Sequence, residues 1–143
     1  MPGVRETALS ALMAALTGVA GATVRRNAVV PERIPGGGLI IVRDGEPRLA
    51  ETTLSPLRYH WEHEAVVEAL VQVADDPARA LALDGLLRAI DERLAVDRTL
   101  GATVEWLDWP ALQTSDLAVP GAAGVAGAVL TVTLVYSTAT PLG

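Results

Sequence analysis

The chain has 143 residues, no cysteine, and 17 acidic against 11 basic side chains, for a net charge of −6. Such a length suggests one domain over residues 1–143, the negative charge speaks against tight wrapping of DNA because no phosphate counterions would be released, and disulfide and thiolate chemistry are excluded. Every basic residue is an arginine, which also excludes a Schiff-base lysine and a P-loop lysine.

Taken in chain order, Val4, Ala8, Leu9, Leu12 and Leu16 share one face of a helix over residues 4–17. With Arg5 and Glu6 ahead of a short apolar stretch, this start makes a poor signal peptide and a good amphipathic helix. Gly18 and Gly21 can end it. "ATVRRNAVV" (22–30) reads as a short strand and "PERIPGGG" (31–38) as a loop. "LIIVRDGEPRL" (39–49) predicts a strand running into a turn, with Asp44-Gly45 as the turn pair. Residues 50–56 read as a polar connection, and the whole stretch 43–57 as a loop that orders on a partner.

"RYHWEHEAVVEALVQ" (58–72) alternates. Its odd positions, Tyr59, Trp61, His63, Ala65, Val67, Ala69 and Val71, are mostly apolar, and its even positions mostly polar. Period two predicts a long strand with one wet face, with Tyr59, Trp61, Ala65, Val67 and Ala69 as the more buried set. A helix competes, since alanine, glutamate and leucine favour one; Pro56 and the aromatic start favour the strand. Residues 75–97 then predict a helix with Asp76 as N-cap, Pro77 as first helical residue, and a stripe of Leu83, Leu86, Leu87, Ile90 and Leu94. Arg88 and Arg93 fall late in it, where the dipole favours positive charge. "ATVEWLDW" (102–109) and "AVLTVTLVYST" (128–138) read as strands, the last with Leu130, Val132, Leu134 and Tyr136 on one face. "GATV" occurs at 21–24 and 101–104, each time after a helix, as chance or as a trace of repetition. The order α-β-β-β-α-β-β predicts an α+β domain with a mixed or antiparallel sheet flanked by two helices. No run of about 18 apolar residues predicts a membrane helix.

Sites for chemistry are scarce. On a strand, His60 and His63 point to opposite faces, with Cα atoms about 10 Å apart, whereas zinc needs each ligand nitrogen at about 2.0–2.1 Å. On a helix they would share a face, but the spacing is not His-Glu-x-x-His. His60, Glu62 and Glu64 share one strand face and form the better candidate ligand set. Their plain reading is a surface facing water or another subunit, and no metal is expected. "PGGGLII" (35–41) and "PGAAGVAGAVL" (120–130, with Gly121, Gly124 and Gly127) precede strands, not the helix N-terminus that a phosphate cradle uses. No cofactor is expected. No Gly-x-Ser-x-Gly is present, and no spacing joins His60 or His63 to Ser55 or Ser115 in a triad. Trp61, Trp106 and Trp109 read as core or interface aromatics.

Several stretches taken together resemble the tail terminator proteins of long-tailed phages and gene-transfer agents. They are "RNAVVPERIPGGGLIIVRDGEP" (26–47), "TLSPLRYHWEHEAVVEALVQ" (53–72), "ALDGLLRAIDERLAVDRTLG" (82–101) and "VTLVYSTATPLG" (132–143), behind an N-terminal helix. The likeness is one of pattern over nearly the whole chain, not of a catalytic motif. It implies a mixed sheet flanked by helices, no catalytic residues, and a structural role. The protein would form a homohexameric ring at the head-proximal end of the tail. There it would cap the tail tube protein and meet a neck or head-completion protein, with DNA passing through the channel without sequence-specific binding. Candidate contact residues are Arg43, Asp44, Arg48, Thr53, Arg58, His60 and Glu62. The rival readings are another neck or head-completion protein of the same particle and a small enzyme or ligand-binding domain; a pocket onto which His60, Glu62 and Glu64 converge would favour the latter.

Overall fold

A computed structural model of the chain describes residues 2–115 and 124–143. The elements are α1 (Val4–Thr17), β1 (Thr23–Arg26), β2 (Leu39–Thr53), β3 (Arg58–Gln72), α2 (Asp76–Val96), β4 (Trp106–Ser115) and β5 (Val125–Thr138). They form an α+β fold with two helices and one five-stranded mixed sheet in the order β1-β2-β3-β5-β4. β1 runs parallel to β2; the other neighbours are antiparallel. No helix among the described residues is long and apolar enough to cross a membrane.

Alternation sorts the sheet into two faces. Ala65 and Val67 of β3 pair across the ladder with Val132 and Leu130 of β5, and Val67 and Ala69 pair with Val42 and Ile40 of β2. This face meets Leu9, Leu12 and Leu16 of α1 and Leu86, Ile90 and Leu94 of α2 in the main core. Each large apolar side chain fully buried there stabilises by about 1.5–3 kcal/mol over exposure. The opposite face carries a smaller apolar cluster of Leu39, Ile41 and Leu70 covered by Ile34 from the loop 27–38. Leu70, at an even position, is buried for that reason.

Arg93 ties the helices together. Its Nε donates to the Ala15 carbonyl at 3.0 Å, adding a second donor beside the Gly18 N–H, which closes the end of α1 on the same carbonyl at 3.3 Å. The guanidinium fits because residue 18 is glycine; a Cβ there would lie 2.5 Å from Arg93 Cζ.

Several expectations need correction. β1 ends at Arg26, not at residue 30, because Asn27 is left-handed (φ 51°). Asp44-Gly45 is a bulge inside a continuous β2, not a turn; the register shifts between Arg43 and Glu46. Gly45 has φ 63°, and a Cβ there would lie 1.8 Å from the Glu64 carbonyl oxygen, so side chains are barred from this step. Residues 50–53 continue β2, and only Leu54–Leu57 turn the hairpin. The stretch 43–57 is therefore largely ladder, not loop. The N-cap of α2 is Asp75, whose carboxylate accepts from the Ala78 N–H at 3.1 Å, one residue before the expected Asp76. Residues 102–105 are not strand: Leu100, Gly101 and Ala102 are all left-handed (φ 49°, 68° and 65°), a run no strand contains. Asp97 holds that turn by accepting from the N–H groups of Thr99 (2.9 Å) and Gly101 (2.8 Å). The "GATV" echo thus fails, since only its first copy enters a strand. β5 begins at Val125, three residues earlier than expected. Gly121 lies outside the described residues, while Gly124 immediately precedes β5 and Gly127 lies within it.

Candidate interaction surfaces

The candidate contact residues divide between the two sides of the sheet. Arg43, Arg48, His60 and Glu62 occupy the face opposite the helices, and each is already engaged within the chain. Arg43 forms a two-point ion pair with Glu68, at 3.0 and 3.1 Å, and Arg48 pairs with Glu62 across the hairpin. His60 Nε2 shares a hydrogen bond of 2.8 Å with Thr53 Oγ1. Arg58 donates to the Ser137 hydroxyl (2.7 Å) and carbonyl (3.2 Å), fastening the hairpin to β5.

Asp44 belongs instead to a junction beside α1. Arg26 on β1 donates to both Glu6 carboxylate oxygens (2.6 and 2.8 Å) and, through Nε, to Asp44 (2.7 Å). Its hydrogen bonds hold the Glu6 and Asp44 carboxyls below their ordinary values, with Asn27 adding to the effect on Asp44. The same bonds raise the guanidinium further from neutrality. One arginine thereby joins α1, β1 and the bulge of β2.

The two histidines face opposite ways, as the strand spacing requires. His63 is fully buried. One ring nitrogen meets the Asp44 carbonyl, and Nδ1 lies 3.0 Å from the Tyr136 hydroxyl. A neutral ring fits both partners, with Nε2–H donating to the carbonyl and Nδ1 accepting from the tyrosine. Burial lowers the His63 pKa, partly offset by the carbonyl. His60, Glu62 and Glu64 do share a face, but Glu62 is held by Arg48 and His60 by Thr53. Among the described residues no three histidine, aspartate or glutamate side chains are grouped to hold a metal ion.

Two of the tryptophans are anchored by their indole N–H. Trp61 donates to Thr138 Oγ1 (2.9 Å) and Trp109 to Asp91 (2.8 Å). Arg98 stacks over Trp109, 4.5 Å from the ring centroid, while Trp106 remains 46% exposed. Trp109 forms one wall of a groove of about 350 Å³ between α2 and the β4–β5 edge, with Asp84, Arg88 and Asp91 on the helix side and Leu112 and Leu130 on its floor.

Sequence reasoning missed the Arg26 junction, the His63–Tyr136 pair and the Trp109 groove. The alternation in β3 did place His63 among the apolar positions. Nothing local could pair it with a tyrosine 73 residues away. No protein-family model and no curated protein matches this chain.

Proposed function

We propose that this chain is a structural subunit of a phage-like tail, of the tail terminator kind, which assembles as a sixfold ring at the head-proximal end of the tube. It would cap the tube, meet a neck or head-completion protein above it, and let DNA pass without reading its sequence. The resemblance of sequence stretches first suggests this role. The observation that carries it is a subunit with two unlike sheet edges, β1 and β4, at opposite ends of one sheet. A ring of identical subunits needs two different surfaces on each copy that meet head to tail. The hairpin face bearing Arg43, Arg48, Thr53, Arg58, His60 and Glu62 is the surface offered to the tube or neck, while Asp44 stays in the junction beside α1. Arg43 and Arg48 are locked in ion pairs and Arg58 is held by Ser137, so these groups present a fixed polar pattern at little cost in side-chain ordering. A net charge of −6 suits a channel through which DNA must slide.

Electron microscopy of particles carrying a labelled copy of the protein tests the reading. A sixfold ring between tube and neck is expected, and tails lacking the protein should overgrow or fail to join heads. Density at the capsid vertex, apart from the tube, would favour a head-completion role. Absence of the protein from particles would end both readings.

A further inference from the structure

We infer that the groove between α2 and β4 receives the segment that follows β1 of a second copy of this chain, with Val29 as the inserted side chain. The contact deepens the ring reading above and depends on it only for closure.

Four features support the pairing. First, Val29 is 86% exposed, although its neighbours Ala28 and Val30 pack on the small cluster beneath the loop. It is an apolar side chain raised from an anchored base. Second, the groove offers the apolar complement: Trp109 and Leu130 form wall and floor, and Leu112 is half exposed beside them. Third, the charges are opposite in sign. The segment around Val29 carries Arg25, Glu32 and Arg33, all exposed; the groove rim carries Asp84, Arg88 and Asp91, also exposed. Among the described residues the side chains of Arg25, Glu32, Arg33, Asp84 and Arg88 make no hydrogen bond or ion pair within the chain, unlike the arginines of the hairpin. Two positive groups and one negative thus meet two negative groups and one positive. Fourth, the β4 edge is poorly suited to pairing with another strand. It is bulged between Asp108 and Ala111 around Pro110, which has no N–H to donate. Side-chain insertion is the contact left to it.

The geometry makes the contact head to tail. β1 and β4 stand four strand spacings apart, about 19 Å, so one copy cannot fill its own groove. Each copy offers one knob and one groove, and the chain of contacts ends only when it closes.

The absence of cysteine gives a clean test. Val29→Cys with Leu112→Cys in one chain, oxidised, should give a ladder of covalent multimers beyond the dimer. Each single variant, which places no second thiol across this contact, should stay monomeric, and the two single variants mixed should stop at the dimer. Cα atoms bridged by a disulfide lie within about 7 Å, so the two positions cannot link within one copy. Adding Arg25→Glu and Arg33→Glu should remove most of the ladder. A double variant that is folded by circular dichroism yet yields nothing beyond the dimer overturns the inference. If the cysteine chain does not fold, a mixing experiment decides the same point. Val29→Asp blocks the knob and Leu112→Asp blocks the groove, so each alone should stay monomeric in sedimentation, and the mixture should stop at dimers. A mixture that stays monomeric, or a Val29→Asp protein that assembles like the unaltered chain, overturns it too. A ladder that runs on without a closed six-membered species keeps the contact and sinks the ring.

Discussion

The two faces of β3 are built from one strand with one period, yet they are held by different physics. Towards the helices, His63, Ala65, Val67, Ala69 and Val71 are buried, and water exclusion dominates. On the other side, Glu62 and Glu68 are half-covered and held by Arg48 and Arg43 from β2. Alternation alone identifies which side is which. It says nothing of how strongly a given position is held, because that depends on what the neighbouring strand and the helices bring to it.

The largest effect that could break this comparison is a charge placed on the covered face. Val67→Asp should cost about 3–5 kcal/mol, the usual penalty of an uncompensated buried charge. Val66→Asp, one residue along and facing the other way, should cost well under half as much. Urea unfolding of both gives the ratio. Similar losses would mean that the faces are not distinguished by burial. Next in size is the bulge. Gly45→Ala puts a Cβ against the Glu64 carbonyl at a positive φ, for a loss of about 2–3 kcal/mol. A neutral outcome would restore the open turn that the Asp-Gly pair suggests in sequence.

That pair shows why some of the fold was legible and some was not. Period-two alternation placed β3 at Arg58–Gln72, and the stripe of Leu83, Leu86, Leu87, Ile90 and Leu94, of which Leu86, Ile90 and Leu94 are buried, placed α2, because both signals are local and repeated. Asp44-Gly45 gave a true local signal, a residue that must be glycine. Whether that glycine turns the chain or bulges a strand is decided by Glu64 on β3, about twenty residues on. The false strand at 102–105 has the same origin: "ATV" favours extension, while Asp97, accepting from Thr99 and Gly101, holds the left-handed run of Leu100, Gly101 and Ala102. For the contact surface, sequence singled out charged hairpin residues. It could not tell charges that satisfy each other, such as Arg43 and Glu68, from charges left without partners, such as Arg25 and Asp84.

A smaller effect, confined to the helix side of the sheet, is read by pH. His63 has a folded pKa below its ordinary value of about 6.5. Between the two values the unfolded chain binds more protons, so stability rises with pH. The contribution is complete above about 6.5 and is lost as pH falls through the folded value. His63→Gln should remove the slope in that window. The Glu6 and Asp44 carboxyls, lowered by Arg26, act in a separate window: their contribution is present above about 4.3 and is lost in stronger acid. Thermal unfolding at a series of pH values resolves the two. A slope near pH 6 that survives in His63→Gln would assign it to another group.

The smallest differences lie within the open face itself. Glu68 meets Arg43 at two points, and its side chain is only 18% exposed, against 39% for Glu62 and 64% for Arg48. A two-point, half-covered pair loses less to water and holds its geometry better than an exposed one. Glu68→Gln keeps shape and one acceptor but removes the charge, so it should cost about 1 kcal/mol. Glu62→Gln should cost no more than about 0.5 kcal/mol, the range of exposed ion pairs. Salt separates the pair further: raising ionic strength to about 1 M shortens screening to roughly 3 Å, which should erase the Glu62 effect and leave most of the Glu68 effect. Equal losses for the two variants, or equal sensitivity to salt, would show that coverage by the neighbouring strand does not set the strength of these pairs.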